Sequence, residues 1–186
     1  MASEDRCVED TLTYVHKTDL PLGVYEAWSL LSAPDRIRTW DRVFVSQCAD
    51  DEQAGVHKRL LSLANVLPFP ELAKKICPDT WVYFYDQTLT ADASGAVDGG
   101  VVLKKTGVRR SNALDLQEAT FLLLPVENNS SACRFTFVLT FTVPELGASL
   151  FKQSCYRRGI QSWMRTFVAA CESVANRRPR AQGTSL

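Results

Sequence analysis

One stretch limits what this chain can become more than any other. From Ser131 to Ala175 a strictly alternating run passes directly into a long amphipathic one. Phe135, Phe137, Leu139 and Phe141 share one parity, and Arg134, Thr136, Val138 and Thr140 share the other. Period two with aromatic and β-branched residues predicts a strand with one apolar face. Pro144 has no N–H to give to a ladder, so the strand should stop near it. Beyond it, Leu146, Leu150, Ile160, Trp163, Met164, Phe167, Val168, Cys171 and Val174 recur at steps of three and four, the spacing of one helix face. A helix over Gly147 to Ala175 would be about 40 Å long at 1.5 Å per residue, which is long for one domain. A long strand feeding such a helix implies a sheet closed over by it.

The rest of the chain supplies the sheet. Thr11 to Thr18 alternates, with Leu12, Tyr14 and His16 on one parity. Pro21 begins a helix with Val24, Ala27, Trp28 and Leu31 on one face. Ser32-Ala33-Pro34-Asp35 has capping-box spacing and predicts a second short helix to about Trp40. Strands then follow in series: Val43 to Cys48, Val56 to Ala64, Trp81 to Thr90, Val101 to Val108, Ala119 to Val126, and the final run from Ser131. Leu67-Pro68-Phe69-Pro70 interrupts them, with a short helix expected over Glu71 to Ile76. Ala91 to Gly100, rich in Gly and Asp, and Asn128-Asn129-Ser130 read as turns. Short turns favour antiparallel pairing of consecutive strands. The expectation is an α+β fold of order β-α-α-β-β-β-β-β-β-α, a curved antiparallel sheet of seven strands around one helix. No repeat or linker divides it: 1–10 is a tail, 11–175 one domain, and 176–186 a basic tail.

Composition narrows the function classes. At 186 residues the chain can bury a real core. Lys+Arg and Asp+Glu both number 21, a balance that argues against nucleic-acid binding. The six cysteines have no Cys-x-x-Cys spacing and no neighbouring His, so reduced, mostly buried thiols in a cytoplasmic protein are expected, with no metal. The acidic start is not a signal peptide, and no run reaches the roughly 20 apolar residues of a membrane span. No phosphate loop, nucleophile elbow or placed carboxylate pair is present. If the chain is an enzyme, His16 with Tyr83 or Tyr85 is the constellation to examine, a base polarising a phenol.

The element order resembles that of the helix-grip fold, shared by START (StAR-related lipid-transfer) domains and plant pathogenesis-related allergens. Val24 to Leu31, then Asp35-Arg36, then Thr39-Trp40-Asp41 is similar to the START pattern of a helix, an Asp-containing turn and a Trp-Asp pair. Gly107-Val108-Arg109 resembles a segment of its middle strands. Cys133 to Val138, Pro144 and the helix carrying Trp163-Met164-Arg165-Thr166-Phe167 resemble its last strand and lid helix. The resemblance implies a tunnel for one hydrophobic molecule such as a sterol, phospholipid or ceramide, gated by the terminal helix, with no cofactor and no catalysis.

On that reading Phe121, Phe135, Phe137, Leu139 and Phe141 line the tunnel from the sheet. Ile160, Trp163, Met164 and Phe167 line it from the helix. Tyr83, Tyr85 and Arg157 are candidates for meeting a ligand head group. Leu67 to Pro70 is a candidate tip for transient membrane contact. Two rivals stay open: a cyclase- or isomerase-like enzyme of the same fold acting on a polycyclic substrate, and an interaction module whose interior is filled. A defined inner cavity separates the carrier from the module. A buried His or acid beside a Tyr in that cavity would favour the enzyme.

Overall fold

The computed structural model describes residues 10–51, 55–90, 99–109, 114–143 and 150–177. Strand β1 spans Asp10–Leu20 and is followed by helices α1, Val24–Ser32, and α2, Pro34–Trp40. Strands β2, Phe44–Asp51, and β3, Val56–Leu61, come next. A 3-10 turn at Leu63–Val66 and helix α3, Pro70–Ile76, separate β3 from β4, Thr80–Thr90. Strands β5, Val101–Arg109, β6, Asp115–Val126, and β7, Asn129–Val143, precede helix α4, Leu150–Asn176.

All seven strands form one antiparallel sheet in the order β1-β7-β6-β5-β4-β3-β2. Consecutive strands from β2 to β7 pair with their neighbours, and β1 closes the far edge against β7 with Leu12 opposite Phe141 and His16 opposite Phe137. That pairing leaves β1 and β2 as the two edges of the sheet. Register breaks in β2, β5 and β6 add bends, as bulges do in curved sheets. Gly107 belongs to this curvature. A Cβ there would lie 1.6 Å from the carbonyl oxygen of Leu116, so only glycine lets β6 come that close to β5.

The helices fill the concave side. Phe167 packs on Trp40 at 5.0 Å and on Phe135 at 5.1 Å between ring centroids, joining α4 to α2 and β7. Gly159 lets α4 press on the 3-10 turn, since a Cβ would meet Leu63 Cγ at 2.5 Å. The indole Nε1 of Trp40 donates to the Leu30 carbonyl and braces α1 against α2.

Three sequence expectations need correction. Ser32 is no N-cap: it ends α1, its hydroxyl donates back to the Trp28 carbonyl, and α2 starts at Pro34 after an Ala33 cap. Proline at the first position needs no N–H there, so α2 dispenses with the box. The run from Val56 to Ala64 is not one strand. It turns at Ser62, whose N–H bonds to the Val43 carbonyl and whose hydroxyl donates to Asp79. The sixth strand begins at Asp115, not Ala119, because β6 continues past its register break. The turn expected over Ala91 to Gly100, the tails and the start of the terminal helix before Leu150 fall largely or wholly outside the described residues.

Candidate functional site

The inner face of the sheet is divided along its length. At one end Phe135, Met164, Phe167 and Cys171 are solidly packed, none more than 1% exposed. At the other end the sheet and α4 separate around a cavity. Its floor is Arg59 and Leu61 of β3, Val82 and Phe84 of β4, Lys105 of β5, Leu116, Ala119 and Phe121 of β6, and Phe137, Leu139 and Phe141 of β7. Its roof is Tyr156, Ile160 and Trp163 of α4. Leu63 and the Cys77-Pro78 corner close one side, and Asp41 and Val43 another. The cavity volume is about 140 Å³. That is small beside the roughly 300–1,000 Å³ of pockets for drug-sized ligands.

The walls are apolar and aromatic. Phe121 and Phe137 stack at 4.9 Å, and Trp163 stands over both at 6.3 and 5.3 Å. Trp163 is held in place by Trp40 at 5.7 Å and by a side-chain hydrogen bond to Asp41.

Polar groups gather where α2 leads into β2 and where β3 to β5 curve toward α4. Asp41 is buried and accepts the N–H groups of Val43 at 2.9 Å and Phe44 at 3.0 Å. Burial raises its pKa against the pull of these bonds and of Arg59. Arg59 gives Nε and Nη2 to Gln47 Oε1 at 2.9 and 2.6 Å and lies over the rings of Phe44 and Phe84. Burial lowers its pKa, with Asp86 and Asp41 opposing. Lys105 is only 6% exposed, pairs with Asp86, and holds Nζ 4.5 Å from the centre of the Phe84 ring. Burial, and secondarily Arg59, lower its pKa to about 8. The Tyr156 phenol bonds to Cys77, and burial pushes its pKa well up.

Six of the twelve residues chosen from sequence line this cavity: Phe121, Phe137, Leu139, Phe141, Ile160 and Trp163. Phe135, Met164 and Phe167 share their parity or helix face but lie in the packed end. Tyr83 and Tyr85 do not reach it. The buried side chains of β4 are Val82 and Phe84, so the other parity, with Trp81, faces out, and Tyr85 is 43% exposed. Arg157 is also exposed and borders a second groove, between β1 and α4, with Tyr14 and Gln161. His16 on β1 and the two tyrosines on β4 are separated by β7, β6 and β5, so that constellation does not form.

Sequence reasoning missed Asp41, Arg59, Lys105 and Tyr156. Lys105 left a trace: it continues the parity of Val101 and Leu103, which marks an inward lysine in an apolar row. Asp41 was seen only as half of a Trp-Asp pair.

Among the described residues no cluster of His, Cys, Asp and Glu could hold a metal, and no helix is long and apolar enough to cross a membrane. Cys48, Cys77, Cys133, Cys155 and Cys171 form no disulfide. Burial raises the Cys133 thiol to about 11 and the Cys171 thiol to about 12.

A curved sheet gripping a terminal helix over an apolar cavity defines the helix-grip class, and solved structures agree. Human StAR-related lipid transfer protein 5 superposes with a TM-score of 0.67 at 9% identity, over 87% of this chain and 76% of that one. The human StarD13 (DLC2) lipid transfer and protein localization domain matches at 0.59 and 9%, over 85% and 76%. The Zhui aromatase/cyclase from Streptomyces sp. R1128 matches at 0.58 and 9%, over 94% and 99%. The fold is that of the START helix-grip family. No family model and no curated protein matches the sequence itself.

Proposed function

We propose that this chain is a carrier that encloses one hydrophobic molecule between its sheet and α4 and moves it between membranes in the cytosol. One observation carries the reading: an apolar, aromatic cavity with only a few polar groups in its wall, roofed by the terminal helix. Such a site favours an elongated or polycyclic apolar body with one polar end. Each methylene transferred from water stabilises the complex by about 0.8 kcal/mol, which is why such molecules need carriers. The volume favours a compact ligand, a sterol-like polycycle or a single chain, over a phospholipid with two full acyl chains. The fold shared with human StAR-related lipid transfer protein 5 and the StarD13 lipid transfer domain supports the same class.

Exchange with a membrane would use the α3 side. Phe69 is 77% exposed and sits in left-handed backbone at φ 58, displayed between two prolines. Leu72 and Phe151 are exposed too, and Lys74 and Lys75 follow on α3, a pairing of apolar anchors with cations that suits an anionic lipid surface.

The enzyme reading has one observation behind it, an acid and a phenol on the same cavity. Asp41, however, is occupied by two backbone N–H groups and Trp163, and Tyr156 by Cys77. Both act as braces.

Native mass spectrometry of the purified chain tests the proposal, followed by transfer of fluorescent sterol, fatty-acid and phospholipid probes between vesicles without nucleotide or metal. A co-purifying apolar molecule and passive transfer are expected. Absence of both binding and transfer across these probes would return the chain to the interaction-module class.

A further inference from the structure

Lys105 is an unusual wall residue. Its amine is almost wholly buried, yet it borders the cavity instead of packing into solid core. Its cross-strand neighbours on β4 and β6 are Asp86 and Ala119. Asp86 supplies a carboxylate, and the Phe84 ring presents its face. Ala119 is the smallest side chain on the floor, sits across from Lys105 on β6 and also borders the cavity, so space opens on the β6 side of the lysine.

We propose that Lys105 is a covalent anchor, its amine condensing with the carbonyl of an apolar aldehyde held in the cavity to give an imine that Asp86 stabilises. This rests on the cavity reading above and deepens it by naming a ligand class. The unprotonated Nζ gives its lone pair to the carbonyl carbon, forming the C–N bond, and the resulting carbinolamine loses one water. The imine nitrogen takes up a proton and becomes an iminium. That cation replaces an ammonium of the same charge, so the pairing with Asp86 and the contact with Phe84 persist. No oxidant or reductant is consumed. The apolar walls keep the reverse hydrolysis slow by limiting water.

The environment also supplies the free amine. With burial and Arg59 holding Lys105 near 8, roughly a quarter of its amines are unprotonated at about pH 7.5, against about one in a thousand for an ordinary lysine. Lys104, one residue away, is the internal control: it points to the other face, half exposed and 2.8 Å from Glu118.

The test uses the full chain with equimolar decanal and sodium borohydride, which reduces an imine to a stable secondary amine. Intact mass and peptide mapping then locate the adduct. A parallel sample with decanol, which cannot form an imine, reports non-covalent uptake by native mass spectrometry. The expected result is an adduct on Lys105 in roughly tenfold or greater excess over Lys104, because a bound aldehyde faces the amine at high effective concentration. Excess decanol should suppress it, and Lys105→Arg should abolish it. Adducts spread equally over Lys74, Lys75, Lys104 and Lys105, with decanol still bound, overturn the anchor and leave the carrier intact. No decanol uptake and no Lys105 adduct overturn both. Mapping on the unmodified sequence decides the matter even if Lys105→Arg does not fold.

Discussion

Replacing Ala119 by leucine asks whether the space beside Lys105 is real. Ala119 lies on the inner face of β6, is 5% exposed, and borders the cavity. Leucine adds three carbons. If they enter the cavity they gain about 2.4 kcal/mol at roughly 0.8 per buried carbon, less about 0.5–1 for the rotamers leucine loses. The net gain is about 1.5 kcal/mol. A chain of this size moves by roughly 2–4 °C per kcal/mol, so Tm should rise by about 3–6 °C in ligand-free protein. Had the region been solid core, the same change would overpack it and cost about 1–3 kcal/mol, with Tm falling instead. The sign alone decides. Calorimetry or circular dichroism measures the first half, and binding of a fluorescent sterol or fatty acid measures the second, which should weaken as the ligand loses its space. A fall of several degrees with unchanged ligand binding would refute the cavity.

Gly107→Ala should prevent folding, at a cost above about 4 kcal/mol, because the new Cβ would meet the Leu116 backbone carbonyl at 1.6 Å; loss of the cooperative melt checks it. Asp41→Ala strands the Val43 and Phe44 N–H groups and the Trp163 indole, each worth about 1–3 kcal/mol if left unsatisfied. Asp41→Asn keeps an acceptor oxygen and should cost less, as urea denaturation of the two variants will report. Lys105 has a folded pKa below its unfolded one, so its buried charge penalises the fold most at low pH and the penalty lifts as pH rises from 8 toward 10.5. Lys105→Met removes this dependence. Its stability relative to the parent should therefore fall by about 2 kcal/mol between about pH 7.5 and about pH 9.5. Taking the difference between the two proteins cancels the opposing titration of buried Tyr156, Cys133 and Cys171.

Local pattern alone determined most of the architecture. Alternation in Phe135 to Phe141, the three- and four-residue steps through Phe167, and the proline breaks at Pro68 and Pro70 are short-range signals, because side-chain direction in strands and helices is set by backbone geometry. They suffice for the element order, the inner face of β7 and the helix that covers it. They could not say where along that face packing stops. Phe135 and Phe137 have the same parity and the same chemistry, yet one touches Phe167 in the core and the other borders the cavity. The difference lies in how α4 crosses the sheet, which depends on Gly159 seating against Leu63, residues far apart in sequence. On β4, both parities carry large apolar or aromatic side chains, Trp81, Tyr83 and Tyr85 on one and Val82 and Phe84 on the other, so alternation alone left open which parity is buried, and only the fold buries Val82 and Phe84. The charged groups were least legible. Arg59 and Lys105 look like surface residues until Gln47, Asp86 and Asp41 are brought to them from other elements. A charge is tolerated inside only where partners offset its lost hydration, and those partners exist only once the chain has folded.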